Sequence, residues 1–375
     1  MVAFDLVSAD DHMDLAYLPP TLWQERLPKE LRDKAPKVTA TSTGNVWERE
    51  GGVWGIYGSK RADGRKVVFD LAGLPEEPEA GVFRPSNPTY RLKDMDLDNI
   101  AAQVIYGPVT FDFTDQRLKA HCLQAYNSWL AEDFCSANPE RLVGLALLPA
   151  FDPAGTVEEL RRVAKLGLRS AIFDVFGATV PIFHEDWDPL WSTAEETGTV
   201  LSVHVGGGFH TLKRDSKVAG TWRQAAGPAV VGMQLDEILV TILMSGMLIR
   251  HPRLKLVLGE SGIGWIPFVL ERVDWERKNY EALVPALRSQ PAAAVLFRDH
   301  VFATFQDEHL GIQLIPQIGA DNVLWASDYP HGDGTFPRSR EAVAHMFRDV
   351  DAAVRRKAVG ENARRLYGLK PTGQT

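Results

Sequence analysis

Short apolar runs recur along the chain, each closed by a polar cluster and followed by a segment of helical period. The runs are FDLVSAD (Phe4 to Asp10), AAQVIYG (Ala101 to Gly107), RLVGLALLP (Arg141 to Pro149), SAIFDVF (Ser170 to Phe176), VLSVHVG (Val200 to Gly206), LKLVLGES (Leu254 to Ser261), HVFATF (His300 to Phe305) and NVLWASDYPH (Asn322 to His331). Their length, β-branched content and lack of strict alternation predict strands buried on both faces, as in a parallel sheet. Helical stretches such as TVEELRRVAKLG, DWDPLWSTAEETG and QLDEILVTILMSGMLIRHP lie between most of them, the last stopping at a proline. Eight strand–helix units predict an α/β fold of the (β/α)8 TIM-barrel class, since doubly wound sheets usually have fewer strands.

One unit is abnormal. The stretch from Asp11 to Ile100 separates the first run from the second and is rich in Gly, Pro and Trp. A structureless loop of that length does not suit a compact domain. The expected organisation is therefore a single barrel domain over residues 1–375 with an inserted, lid-like subdomain at about 13–95. It follows strand 1, so it belongs on the barrel face where active sites form. Within it, GSKRADGRK carries Lys60, Arg61, Arg65 and Lys66. This is either a solvated hairpin tip or a contact for an anionic substrate tail.

Composition narrows the class. The chain has 41 basic and 49 acidic side chains and a net charge of −8. That balance argues against nucleic acid or an anionic membrane as the main partner. Hydrophobic residues at 45% and charged residues at 24% exclude disorder, collagen and coiled coil. The expectation is that no apolar run approaches the ~20 residues of a membrane span. The start, MVAFDLVSADDHMDL, has no basic n-region, so no signal peptide and a cytoplasmic location are expected. Cys122 and Cys135 fall in one predicted helix, about 20 Å apart at 1.5 Å per residue, too far for a disulfide.

The strand ends carry the chemistry. Strand 1 ends in SADDH, which places Asp10 and His12 on one side. Strand 4 carries Asp174, strand 5 His204, strand 6 Glu260, and strand 8 Asp328 followed by His331. Each has an ordinary alternative as a cap, a core histidine or a turn former. Together they are carboxylates and imidazoles converging on one barrel mouth, which repel or stay unsatisfied without a cation. A bound metal resolves this, with Asp10, His12, His204, Glu260 and Asp328 as candidate ligands, and Asp174 and His331 less central.

The motifs SADDHMDL, PPTLWQERLP, SVHVGGG, LVLGESGIGWIPFVLERVDW, VLWASDYPHGDGTFPRS and VGENARRLYGL, in this order, resemble the amidohydrolase-related metal-dependent TIM-barrel family over essentially the whole chain. The resemblance implies metal binding by the strand-1 pair Asp10 and His12, by His204 and by Asp328. The chain departs from it in two places. Many members have His-x-His on strand 1 where this chain has Asp10-x-His12, and decarboxylase members commonly have a strand-6 histidine where this chain has Glu260. Asp174 lies where dinuclear members place a bridging carboxylated lysine, which makes it a candidate extra ligand. Carboxylate-rich donor sets favour iron or manganese over zinc.

The DDH…PPTLW…GESGIGW…SDYPHGD branch resembles the nonheme diiron monooxygenases of platensimycin and platencin diterpenoid biosynthesis. That resemblance implies two irons, activation of dioxygen, a large hydrophobic CoA-linked acyl substrate and an external electron donor. Asp10, His12, His204, Glu260 and Asp328 would hold the metals. His331 would act as proton donor or support a ligand, and Trp265, with Trp54 and Tyr57, would line an apolar mouth, although core packing is the commoner fate of tryptophan. The basic residues Lys60, Arg61, Arg65 and Lys66 would meet the CoA. A homo-oligomer is compatible with this reading. The alternative is a mononuclear zinc or manganese hydrolase or decarboxylase, with Glu260 or His331 as acid or base.

Overall fold

The eight apolar runs form eight strands of one sheet. The computed structural model describes residues 5–58, 77, 79, 81–108, 111–208 and 221–370. In chain order its strands are β1 (Leu6–His12), β2 (Lys37–Thr41), β3 (Gly44–Arg49), β4 (Gly52–Ile56), β5 (Ile100–Tyr106), β6 (Leu142–Leu147), β7 (Ser170–Ile172), β8 (Val200–His204), β9 (Leu256–Gly259), β10 (Val301–Phe305) and β11 (Val323–Trp325). The large sheet has the order β1-β5-β6-β7-β8-β9-β10-β11, and its paired neighbours are parallel. Helices cover its outside, and almost every strand residue is buried. The ring closes beyond β11, where His12 N–H donates to the Tyr329 carbonyl at 2.6 Å and Asp328 N–H donates to the Asp10 carbonyl at 3.1 Å. This is a TIM barrel.

Buried polar groups fasten that seam. Ser327 N–H donates to Ser8 Oγ at 2.7 Å, and the Ser327 hydroxyl and Tyr329 N–H donate to Asp11 Oδ1 at 2.6 and 2.9 Å. Burial pushes the Asp11 carboxyl up to about 6, opposed by the Arg91 guanidinium. Arg91 is itself fully buried. It donates to Gln103 Oε1 and to the His12 carbonyl, and lies 4.3 Å from the Tyr329 ring centroid. A buried charge is tolerated only when paired and hydrogen-bonded, and these contacts tie β1 to the segment after β11, where ligand candidates emerge.

The region between β1 and β5 contains the antiparallel sheet β2-β3-β4. Trp23 packs edge-on to Trp47 at 4.8 Å, and Trp54 meets Phe111 at 4.9 Å and Phe113 at 5.3 Å, joining this region to the loop after β5. Glu50 accepts the backbone N–H groups of Thr114 and Asp115 from the same loop. Trp54 and Tyr57 are thus packing residues, Tyr57 lying against Trp47 and Phe83. Lys60, Arg61, Arg65 and Lys66 lie outside the described residues.

Two further expectations meet the structure. Both cysteines are free and buried, Cys122 inside the helix Gln116–Trp129 and Cys135 beyond it. The expectation about apolar runs is corrected. The helical stretch Ala225–Met244 is long and apolar enough to cross a membrane by length and composition, with hydropathy 1.4 in its best window. Gln234, Asp236 and Glu237 interrupt it without lowering its mean below that of a span.

Candidate metal centre

Asp10, His12 and His204 place one donor atom each within 4.8 Å of the others, and all three side chains are buried. Asp10 Oδ1 lies 3.6 Å from His12 Nε2 and 3.6 Å from His204 Nε2. Asp328 Oδ1 is 3.1 Å from His12 Nε2, and Glu260 Oε2 is 3.5 Å from His204 Nε2. The structure therefore brings Asp10, His12 and His204 onto one focus, with Asp328 beside His12 and Glu260 beside His204. They come from the ends of β1, β8 and β9 and from the segment after β11.

The local chain explains these orientations. Alternation along β1 turns Asp10 and His12 to the same side. His204 Nδ1 is 2.9 Å from the Val205 carbonyl, which engages the ring on that side and leaves Nε2 facing Asp10. Asp10 Oδ2 accepts the Thr304 hydroxyl at 2.7 Å and the Glu260 N–H at 2.6 Å. Only Oδ1 is left for the focus. Glu260 and Asp328 both sit in the left-handed region, at φ 50 and 57. Such strain in a residue other than glycine costs energy and gathers at functional sites.

The donor set passes a direct test for a cation. Asp10 Oδ1, His12 Nε2 and His204 Nε2 are buried without a hydrogen-bond partner. Orphaned buried polar atoms cost about 1–3 kcal/mol each, and here three face one point. With Asp328 Oδ1 beside His12, two carboxylates and two imidazoles make a donor set that suits a divalent first-row ion such as manganese or zinc.

The electrostatics show the same strain in protons. Burial opposes charge on His204, yet the Asp10 carboxylate, aided by Glu260, pushes its pKa up to about 9. Burial and the neighbouring Asp328 charge raise the Glu260 carboxyl. Asp328 goes the other way, because His331 and His12 overcome its burial and hold it well below the usual carboxylate range.

His331 stacks on the His12 ring at 4.2 Å, with Nδ1 3.0 Å from Asp328 Oδ1 and Nε2 3.3 Å from Asp14 Oδ2. His12, Asp14 and His331 form a second group of converging donors. Asp174 is not among the donors brought together. Its Oδ1 accepts the Phe176 and Gly177 N–H groups at 3.1 and 2.9 Å, so it builds the turn after β7. The Trp265 indole N–H donates to the Ser261 carbonyl at 2.7 Å, and its side chain lines a cavity of about 360 Å³ with Glu260 and Asp328. A second cavity, about 230 Å³, opens beside His204 and is walled by Phe111, Phe173 and Phe176.

Thr304 and Asp14 escaped the sequence reading. Asp14 continues the alternation Asp10-x-His12-x-Asp14, a signal that was there to be read. Thr304 gave none, because a threonine ending a strand is an ordinary β-former.

The comparisons with known proteins bear on the family and the fold. A γ-resorcylate decarboxylase from Rhizobium sp. (strain MTP-10005) is 28% identical over 298 residues, covering 74% of this chain and 86% of the relative. The crystal structure of an amidohydrolase from Mycobacterium avium subsp. paratuberculosis K-10 superposes with a TM-score of 0.75 at 18% identity, over 98% of this chain and all of that one. A 5-carboxyvanillate decarboxylase from Novosphingobium aromaticivorans, solved with manganese and 4-hydroxy-3-methoxy-5-nitrobenzoic acid, superposes with a TM-score of 0.60 at 21% identity, over 80% and 86% of the two chains. These similarities lie with an amidohydrolase and with decarboxylases, and they give the expected diiron monooxygenase branch, its CoA-linked substrate and its electron donor no support. The Amidohydrolase family model matches residues 83–369, and the chain belongs to that family.

Proposed function

We propose that this protein is a mononuclear metal-dependent decarboxylase of a small aromatic acid. The observation that carries the reading is the trio of orphaned buried donors, Asp10 Oδ1, His12 Nε2 and His204 Nε2, with Asp328 Oδ1 beside them. Asp10, His12, His204 and Asp328 would hold one manganese or zinc. When bound, the ion supplies a Lewis acid that anchors and polarises the oxygens of an acid substrate.

The protein's own residues do the rest. Glu260 stands at the cavity edge, and burial keeps its carboxyl raised and so able to carry a proton. In the reaction the bond from ring carbon to carboxyl carbon breaks, carbon dioxide leaves, and the electron pair left on the ring carbon takes that proton. His331 holds Asp328 in place and links it to Asp14. Asp174, after β7, spends Oδ1 on its turn and stands outside the converging donors, which supports one metal over two. Cavities of about 230 and 360 Å³ stand at or below the low end of the ~300–1,000 Å³ typical of drug-sized ligands. A one-ring acid suits them better than a diterpenoid thioester. The relatives named above act on, or are solved with, acids of that size.

The experiment is release of labelled carbon dioxide from carboxyl-labelled hydroxybenzoates by manganese-loaded protein under nitrogen. Release supports the reading. Its absence, together with oxygen uptake by iron-loaded protein, overturns it.

One observation favours a second reading. Glu260 adds a fifth donor 3.5 Å from His204, and Asp14 with His331 adds two more. That surplus suits a dinuclear, dioxygen-activating centre, with His331 and Glu260 as ligands in place of acid and base.

A further inference from the structure

The helix Ile266–Tyr280, which follows β9, turns Ile266, Val269, Leu270 and Val273 into the core. Its outer stripe is apolar at both ends and charged in the middle. Phe268 is 69% and Trp275 58% exposed, and Glu271 and Arg272 between them are exposed too. Spacings of three, four and seven residues put all four on one face. Arg272 pairs with Glu276 one turn on, whereas Glu271 makes no ion pair among the described residues. Tyr280, Leu283 and Val284, at the helix end and just beyond it, are exposed as well. Scaled by exposure, these three aromatic and two aliphatic side chains offer roughly 500 Å² of apolar surface. That is the apolar share expected of an interface burying about 800 Å² on each partner. It also stands at the upper end of what a monomer leaves open to water.

The stripe is complementary to itself when reversed. With two such helices antiparallel, a twofold axis between Glu271 and Arg272 sets Phe268 against the partner's Trp275 and Glu271 against the partner's Arg272. Parallel pairing in register would instead set like charges opposite each other, which is unfavourable. We propose that this face joins two copies of the chain in an isologous, antiparallel helix pair about that axis.

The test is sedimentation velocity of the wild type and of charge variants at micromolar concentration. Wild type should run at twice the mass of one chain. Glu271→Arg alone and Arg272→Glu alone face like charges across the axis, and each should weaken the dimer at least about tenfold. Mixed in equal amounts they should recover it, because one helix then presents two bases and the other two acids. Phe268→Ser should weaken it as well. All these positions are exposed, so circular dichroism should show the fold unchanged. A monomeric wild type overturns the proposal, and its retention on phosphatidylglycerol vesicles would give the face to a lipid surface instead. A dimer that every variant leaves intact, or a mixture that stays monomeric, overturns the antiparallel pairing.

Discussion

Thr304 donates its hydroxyl proton to Asp10 Oδ2 at 2.7 Å, and this bond decides which oxygen of Asp10 faces His12 and His204. The Glu260 N–H occupies the same oxygen, so Oδ1 alone is offered to a cation. Groups that orient a ligand typically change metal affinity 10–100-fold when removed. Thr304→Val should weaken manganese binding by that factor, Thr304→Ser should keep most of it, and both should stay folded. A competition titration with a metal indicator measures this. Equal affinity in Thr304→Val would show that the backbone N–H suffices.

Glu260 separates the two chemistries. If it carries the proton, Glu260→Gln retains its metal and loses turnover by about 10²- to 10⁴-fold, the usual worth of general acid catalysis. If it is a ligand of a second ion, metal content falls in step with activity. Metal analysis and rate on the same preparation of the variant distinguish the outcomes.

Asp98 gives a pH dependence away from the centre. Burial pushes its carboxyl up to about 6, although Ser339 donates both its N–H and its hydroxyl to it. The folded protein therefore holds this proton more tightly than the unfolded chain does. The cost of ionising it is absent below about pH 4 and complete above about pH 6, so stability from this group falls as pH rises through that window, by roughly 2–3 kcal/mol at most. Asp98→Asn should remove this slope. Urea unfolding at pH 4.5 and 7 tests it, and an unchanged wild-type minus variant difference would contradict it.

Trp23 anchors the region between β1 and β5. It is fully buried, contacts Trp47 and Trp54, and donates its indole N–H to the Cys122 carbonyl at 3.2 Å. Trp23→Ala should cost about 3–5 kcal/mol, measured by denaturant unfolding. A loss below 1 kcal/mol would mean that this region contributes little to the barrel's stability.

The barrel was legible because strands buried on both faces must be written as continuous apolar runs. The strands β2 to β4 were not, since they are short and partly exposed, and the Gly- and Trp-containing sequences of β3 and β4 have neither period. Asp10, His12, His204, Glu260 and Asp328 could be found because a barrel sends its strand ends to one mouth. Position alone misled at Asp174. The sequence Asp174-Val175-Phe176-Gly177 is an Asx-turn pattern, and such a carboxylate is already engaged by its own backbone. Trp54 was open in the sequence, since a tryptophan in an inserted segment serves packing as readily as a pocket, and the contacts with Phe111 and Phe113 favour packing.

The central claim is a single divalent ion held by Asp10, His12, His204 and Asp328. Elemental analysis of protein purified without oxygen, counting manganese, zinc and iron per chain, tests it most directly. The account predicts about one manganese or zinc per chain, lost in Asp328→Ala with the fold retained. Two irons per chain would contradict it.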